Sequence, residues 1–310
     1  MKIFVSVQHW KNKKALEILR QKAEVVVADH TATPAELKEL VREFDGILIG
    51  RLEIINKEIL KHSRLKFIGI VAKGVNNIDI DECKRKDISV FYTPEANLIA
   101  VAEHVFTFIL CLSKNLIKLD QSVKNGEFDK FRYTPFEIEH KTLGVIGAGA
   151  ISKEIIKRAK AFGMKIICYT LNPQKHKDLD ITFVSLEELL KNSDFVSINI
   201  PLTDETENFI TEKELLLMKK SAFLLNTSRG KIVNESDLVK VLKQKRISGA
   251  GIDVFEEEPT HNKELLKLDN VILTPHSAGV AKEALLRMEE HLIKDIMAFL
   301  NNKPVKYRLV

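Results

Sequence analysis

The sequence predicts an α/β protein built from two doubly wound, parallel-sheet domains. Three observations carry that expectation. Short apolar, β-branched runs alternate with amphipathic stretches along almost the whole chain, which is the pattern of repeated βαβ crossovers. The alternation runs as two series, with a long apolar helix and a polar-aromatic stretch between them. A chain of 310 residues is also long for one core and comfortable for two.

In the first series, Lys2–Val7 and Glu24–Ala28 read as strands, with Lys13–Lys22 helical between them. Pro34–Phe44 reads as a helix with proline in its first turn, where a missing N–H costs nothing. Gly46–Gly50, Phe67–Val71 and Ile88–Tyr92 follow as short β-rich runs. A long helix is expected from about Leu98 to Lys118. Its residues Leu98, Val101, Ala102, Val105, Phe106, Ile109 and Leu112 recur at three-and-four spacing. The pattern breaks at Lys124-Asn-Gly-Glu-Phe128. The second series then runs Leu143–Ile146 (strand), Ile151–Phe162 (helix), Lys165–Tyr169 (strand), Leu186–Lys191 (helix) and Phe195–Ile200 (strand). It continues with Ala222–Asn226 (strand), Glu235–Lys245 (helix), and the strands Gly249–Val254 and Val271–Thr274. A last amphipathic helix is expected from about Val280 to Asn301.

Composition removes several function classes. Hydrophobic residues at 45% and charged residues at 29% are ordinary for a soluble globular protein. The net charge of +5 is dispersed, and the clusters Lys11–Lys14 and Lys175–Lys177 are too short for a nucleic-acid footprint. Cys83, Cys111 and Cys168 form no CxxC pair and no metal spacing with histidine, so they read as buried reduced thiols of a cytoplasmic protein, and no metal site is expected. Met1–Val7 reads as a first strand rather than a signal peptide. Leu98–Leu112 contains Glu103 and His104 and is too short to span a bilayer, so no membrane partner is expected.

The chemistry-bearing residues gather at strand ends. Gly147-Ala-Gly149-Ala-Ile-Ser152 lies between an apolar run and an amphipathic stretch, where a glycine turn lets backbone N–H groups and a helix N-terminus approach a pyrophosphate. The third position is Ser152 rather than Gly or Ala. Ligands of such sheets bind at the C-terminal strand ends. In the second series those ends carry Gly147, Thr170, Pro201, Thr227, Asp253 and His276. In Asn226-Thr-Ser-Arg229-Gly230, the arginine can hold a carboxylate through a two-pronged contact. In Gly251-Ile-Asp253-Val-Phe-Glu-Glu-Glu258-Pro259, Asp253 ends a strand and Glu258 precedes a proline that fixes the turn. His276, in Leu273-Thr-Pro275-His276-Ser-Ala-Gly279, is placed for proton transfer. Taken singly, these residues read equally as a surface arginine, a solvated acidic loop and a structural histidine. All three at strand ends beside a glycine turn argue for a site. Gln8, His9 and His104 border such a site or simply pack.

The motifs GxGxxS, NTSRG, GIDVFEEEP and TPHSAG, in this order, resemble the D-isomer-specific 2-hydroxyacid dehydrogenase family. The likeness extends to Pro201-Leu-Thr203, Val101-Ala-Glu103 and Ala72-Lys73-Gly74-Val75-Asn-Asn-Ile-Asp79, and so covers essentially the whole chain. It implies a Rossmann NAD(P)-binding domain, residues 98–276, inserted into a flavodoxin-like substrate-binding domain formed by residues 1–97 plus 277–310. It also implies a homodimer with the long helix at the interface. Carried onto this chain, the resemblance makes Arg229, Glu258 and His276 catalytic. His276 would protonate the carbonyl oxygen of a 2-keto acid as hydride arrives at its carbon. Glu258 would orient His276 and favour its charged form, and Arg229 would grip the substrate carboxylate. Backbone N–H groups around Lys73, Gly74 and Val75 would take the other carboxylate oxygen. The cofactor would meet Val101, Gly147, Gly149, Ala150, Ile151, Thr170, Asn172, Pro201, Thr206, Thr227, Asp253 and Gly279.

NAD-binding members of the family carry an acidic residue after the second strand, on the ribose hydroxyls. Here Cys168-Tyr-Thr170-Leu-Asn172 has no carboxylate, and Asn172, Lys175, His176 and Lys177 stand ready for a 2′-phosphate. The expectation is therefore NADP(H) over NAD(H). Hydroxypyruvate or glyoxylate would need only a small pocket. A 3-phosphoglycerate-type substrate would need added positive charge, for which Arg51, Lys73 and Arg132 are candidates. Two competing readings remain: a non-enzymatic dinucleotide-sensing protein of the same fold, and formate oxidation, whose enzymes have glutamine where this chain has Glu258.

Overall fold

The computed structural model describes residues 1–6, 10–72 and 74–310. Gln8, His9 and Lys73 therefore lie outside the described residues, as does the last residue of the expected strand Lys2–Val7. The chain forms two compact units, Met1–Asn97 with Val280–Val310, and Leu98–Gly279.

The first unit opens with β1 (Lys2–Val5), α1 (Lys13–Arg20), β2 (Glu24–Val27), α2 (Pro34–Glu43) and β3 (Gly46–Ile49). It continues with α3 (Lys57–Leu60), β4 (Phe67–Ile70), α4 (Ile80–Arg85) and β5 (Ser89–Phe91). The strands pair in parallel in the order β2-β1-β3-β4-β5, the flavodoxin-like order. Every residue of β3 and β4 is buried, as in strands covered on both faces. The start of α2 is set locally: Thr33 and Glu36 form a reciprocal capping box, and Pro34 takes the first turn.

The second unit begins with α5 (Leu98–Ser113) and α6 (Leu116–Lys124). The single helix expected from Leu98 to Lys118 is thus two, bent by 58°. Asn115 between them has φ 50°, a left-handed conformation that asparagine tolerates better than most residues. The unit continues with β6 (Thr142–Ile146), α7 (Ala150–Ala161), β7 (Lys165–Tyr169), β8 (Thr182–Phe183), α8 (Leu186–Asn192) and β9 (Phe195–Ile198). Then follow α9 (Glu212–Leu215), β10 (Phe223–Asn226), α10 (Glu235–Lys243), β11 (Gly249–Ile252), α11 (Lys263–Leu266) and β12 (Val271–Leu273). The parallel sheet runs β12-β11-β10-β9-β6-β7-β8. The strand order reverses between β6 and β9, the switch point where a doubly wound sheet binds its ligand.

The chain then returns to the first unit with α12 (Lys282–Leu300). Its Leu292, Ile293 and Ile296 pack with Ile3, Val5, Leu48, Phe67 and Phe91 on one face of the sheet. The second boundary between the units falls after Gly279, not after His276. Ser277 and Ala278 stay with the second unit because their N–H groups are held by the Asp253 carboxylate, at 2.8 and 2.9 Å.

Each sheet carries the same anchoring device. Asp45, just before β3, accepts the Lys2 N–H at 2.8 Å, and Asp194, just before β9, accepts the Thr142 N–H at 2.8 Å. A cation then pairs with each: Arg64 with Asp45 at 3.2 Å and Lys219 with Asp194 at 2.9 Å.

Candidate active site

The glycine turn lies at the switch point. Gly147 follows β6 with φ +95°, and a Cβ there would stand 2.8 Å from the Asn199 carbonyl oxygen, just past β9. Only glycine fits that close approach. Gly149 caps α7 without any side-chain hydrogen bond, so the first N–H groups of a helix of 12 residues have no side-chain cap. A Cβ on Gly149 would meet nothing within 4 Å. An open position before uncapped, dipole-aligned N–H groups suits a pyrophosphate, so these residues fit a dinucleotide. Ala150 and Ile151 open α7. Ser152 is fully buried, and its hydroxyl donates to the Gly147 carbonyl at 2.7 Å. The departure from glycine at the third position therefore reinforces the turn.

The other strand-end residues have distinct surroundings. Thr170 follows β7, with Leu171 83% exposed beyond it. Asn172, Lys175 and Lys177 are exposed and His176 is half-buried. Beyond β9, the Thr206 hydroxyl donates to the Pro201 carbonyl at 2.7 Å and shapes that turn. Thr227 and Gly279 are half-buried, and Val101 is buried on α5.

The loop after β10 is wrapped around Asn226, a side chain whose role the motif alone does not reveal. Asn226 is buried. Its Oδ1 accepts from the Ser228 N–H (3.1 Å) and hydroxyl (2.8 Å), and its Nδ2 donates to the Arg229 carbonyl at 3.0 Å. That fixes the backbone at Arg229, whose Nη1 donates to the Ser228 carbonyl at 2.7 Å. Gly230 then runs against the loop after β11: a Cβ there would lie 1.9 Å from the Phe255 carbonyl carbon. The turn that carries Arg229 and the loop that leads to Glu258 are in backbone contact, and only glycine permits it.

Glu258 and His276 meet at the end of that loop. His276 Nδ1 is 2.7 Å from Glu258 Oε2, and Glu258 Oε1 accepts the Phe255 N–H at 3.2 Å. The two side chains are 28% and 39% exposed for His276 and Glu258 respectively. They are paired yet accessible. His276 holds φ 51°, and its N–H donates to the Asp253 carbonyl at 2.8 Å. Asp253, a residue expected on the cofactor, has a fully buried carboxylate that accepts from Thr274 Oγ1 (2.6 Å), Ser277 N–H (2.8 Å) and Ala278 N–H (2.9 Å). Asp253 holds the His276 loop.

In the first unit, Arg51 is exposed after β3, on a loop held by Glu53, which accepts the Gly50 N–H at 3.0 Å and the Ser6 hydroxyl at 2.6 Å. Gly74 and Val75 are half-buried beyond β4. Arg132, in the second unit, is paired with Glu127, so its charge is already engaged. Burial pushes the thiols of Cys83 and Cys168 up to about 12, and both are free. Among the described residues there is no cluster suited to a metal ion, and no single helix is long and apolar enough to cross a membrane.

Comparison with known proteins gives the arrangement its class. Residues 106–278 match the family model for the D-isomer specific 2-hydroxyacid dehydrogenase, NAD binding domain. A glyoxylate reductase of Thermococcus litoralis is 42% identical over 273 residues, covering 85% of this chain and 82% of that one. Among solved structures, an acyclic imino acid reductase in complex with NADPH and D-Arg superposes with a TM-score of 0.90 at 31% identity, over 100% of both chains. A D-lactate dehydrogenase from Aquifex aeolicus, complexed with NAD and lactic acid, gives a TM-score of 0.84 at 32% identity, over 97% of this chain and 96% of that one. With a glycine turn at the switch point of a doubly wound sheet, the protein is an NAD(P)-dependent oxidoreductase of hydroxy acids. The chain belongs to the D-isomer specific 2-hydroxyacid dehydrogenase family.

Proposed function

We propose that this enzyme reduces a small 2-keto acid of the glyoxylate or hydroxypyruvate type, preferring NADPH, with Arg229, Glu258 and His276 as its catalytic residues. The observation that carries the assignment is the 2.7 Å pair of His276 and Glu258, tied through Gly230 to the turn bearing Arg229. The nicotinamide, when bound, supplies the hydride. Arg229 grips the substrate carboxylate, a contact to a charged group worth about 1.5–3 kcal/mol. His276 gives one proton to the carbonyl oxygen, so that keto acid, hydride and proton balance to the hydroxy acid. Nδ1 of the imidazole is engaged by Glu258, which leaves Nε2 to carry the exchanged proton. General acid help of this kind is worth roughly 10²–10⁴ in rate.

The second unit is the cofactor domain in this reading and the first is the substrate-binding domain. NADPH preference is supported by the absence of a carboxylate between Thr170 and Lys177, where Lys175 and Lys177 are exposed. The small substrate is supported by the identity to the Thermococcus litoralis glyoxylate reductase and by the engagement of Arg132 with Glu127. A homodimer through α6 and the segment after it is supported by exposed apolar side chains there: Leu116 at 55%, Val123 at 57%, Phe128 at 93% and Phe131 at 73%. The free thiols, buried at Cys83 and Cys168 and half-buried at Cys111, suit a reducing, cytoplasmic compartment.

A panel of glyoxylate, hydroxypyruvate, pyruvate and 3-phosphohydroxypyruvate, each with NADPH and NADH, tests the assignment by the fall in cofactor absorbance. The highest kcat/KM is expected for glyoxylate or hydroxypyruvate with NADPH. A preference for the phosphorylated acid, or for NADH, overturns that part of the proposal.

A further inference from the structure

Helix α5 carries a second histidine that the chemistry above does not use. His104 Nε2 lies 3.0 Å from Thr274 Oγ1, and that hydroxyl lies 2.6 Å from Asp253 Oδ1. Thr274 has one hydroxyl proton, and the shorter contact to the carboxylate takes it. Thr274 Oγ1 must therefore accept from His104, which fixes the proton of His104 on Nε2. Burial holds His104 below the usual histidine range, against the opposing pull of the Asp253 carboxylate, so a neutral ring with Nε2–H fits the site. Asp253 completes the relay by taking the N–H groups of Ser277 and Ala278. Its own carbonyl takes the N–H of His276 at 2.8 Å.

The far end of the relay is closely packed. The His104 ring meets Phe108 edge to face, with centroids 4.7 Å apart at 83°. Phe108 in turn occupies the space beside Gly251, where a Cβ would stand 2.6 Å from the Phe108 ring. Helix α5 is thereby seated on β11, the strand that leads into Asp253. The turn it supports contains His276 at φ 51°, a conformation that costs a non-glycine residue energy and persists only where its surroundings determine it.

We propose that His104 is a positioning residue: through Thr274 and Asp253 it holds the backbone of His276 in the left-handed conformation in which the imidazole meets Glu258. This rests on the proposed role of His276 as proton donor. A group moved by a fraction of an ångström at such a site loses rate without losing ligand, and about 10²-fold is within reach of a displacement of about 1 Å.

The test compares His104→Phe, His104→Gln, Thr274→Val, Thr274→Ser and the double variant His104→Phe/Thr274→Val with wild type and His276→Ala. It uses glyoxylate and NADPH and records kcat, both KM values and the melting temperature. His104→Phe and Thr274→Val are each expected to lower kcat about tenfold or more, with both KM values within about twofold. The double variant should be no worse than the poorer single variant, because the two act through one contact. His104→Gln, which keeps an N–H donor, and Thr274→Ser, which keeps the hydroxyl, should recover most of the loss. Should His104→Phe fail to fold, the Gln variant and the Thr274 pair carry the same comparison. Unchanged kcat in both His104→Phe and Thr274→Val overturns the proposal, as do additive losses or a failure of Gln and Ser to rescue. If His276→Ala itself keeps its turnover, the proposed function fails first. If His276→Ala is inactive and His104→Phe is fully active, only the positioning role falls.

Discussion

His276 Nδ1 and Glu258 Oε2 stand 2.7 Å apart although they belong to different loops, one after β12 and one after β11. In the proposed reduction the carboxylate has two separable duties: it accepts a hydrogen bond that orients the ring, and it places a negative charge beside the imidazole that delivers the proton. Glu258→Gln keeps an acceptor and removes the charge, whereas Glu258→Ala removes both. We predict that kcat falls about tenfold in the first and about 100-fold in the second, within the usual span for general acid catalysis. Steady-state kinetics at saturating NADPH and glyoxylate read the difference; wild-type activity in both variants would show that Glu258 serves neither duty.

Two glycines of the site should fail in opposite ways. A methyl group on Gly230 would stand 1.9 Å from the Phe255 carbonyl carbon, whereas one on Gly149 would meet nothing within 4 Å. Gly230→Ala is therefore expected to lower both the melting temperature and kcat, since the Arg229 turn and the Glu258 loop can no longer touch. Gly149→Ala should melt as wild type does, because its φ of −73° suits alanine. Its KM for NADPH should nevertheless rise about tenfold or more, because the methyl intrudes only on what the turn is there to bind. Thermal melts beside cofactor titrations separate the two.

Cofactor choice should turn on Asn172. Placing a carboxylate there by Asn172→Asp would repel a 2′-phosphate and offer an acceptor to the ribose hydroxyls. The ratio of kcat/KM for NADPH over NADH is expected to fall by about tenfold or more, on the order of the 1–3 kcal/mol that a single pocket contact discriminates. Lys175→Ala with Lys177→Ala should lower the same ratio by raising KM for NADPH alone. An unchanged ratio in all of these variants would mean that this loop does not meet the phosphate.

Acid stability should depend on the paired anchors Asp45 and Asp194. Burial alone would raise the Asp194 carboxyl, but the Thr142 N–H and the Lys219 ammonium outweigh it and leave it below its usual 3.8. The Lys2 N–H and the Arg64 guanidinium do the same for Asp45, against its own burial. A carboxylate whose folded value is depressed contributes stability that is fully present above its unfolded value and is lost as pH falls through the folded one. Asp194→Asn should therefore cost about 1–3 kcal/mol at neutral pH and flatten the loss of stability below pH 3.8. Urea melts across that range check both parts.

Much of this architecture was legible because it rests on short-range rules. Six of the seven strands of the second sheet show as short apolar runs, Lys165–Tyr169 among them, whereas the two-residue β8 does not. The break at Asn115 did not show. Leu112, Leu116 and Leu119 continue the apolar spacing straight across it, and only the left-handed backbone at Asn115 divides α5 from α6. The four-residue helices α3, α9 and α11 are too short to display a period. At the site, Arg229, Glu258 and His276 could be picked out by their motifs. The work of Asn226 and Asp253 could not, because a polar residue at a strand end looks the same whether it faces a ligand or braces a loop. His104 shows the same limit: only the three-dimensional contact with Thr274, 170 positions away, separates a bracing histidine from a packed one.

The proton-donor role of His276 is tested most directly by His276→Ala, assayed for NADPH binding by fluorescence titration and for glyoxylate reduction in the same preparation. Turnover is expected to fall by about 100-fold or more while the Kd for NADPH stays within about twofold, since the imidazole handles the proton and not the dinucleotide. Turnover close to that of the wild type, with NADPH bound, would contradict that role.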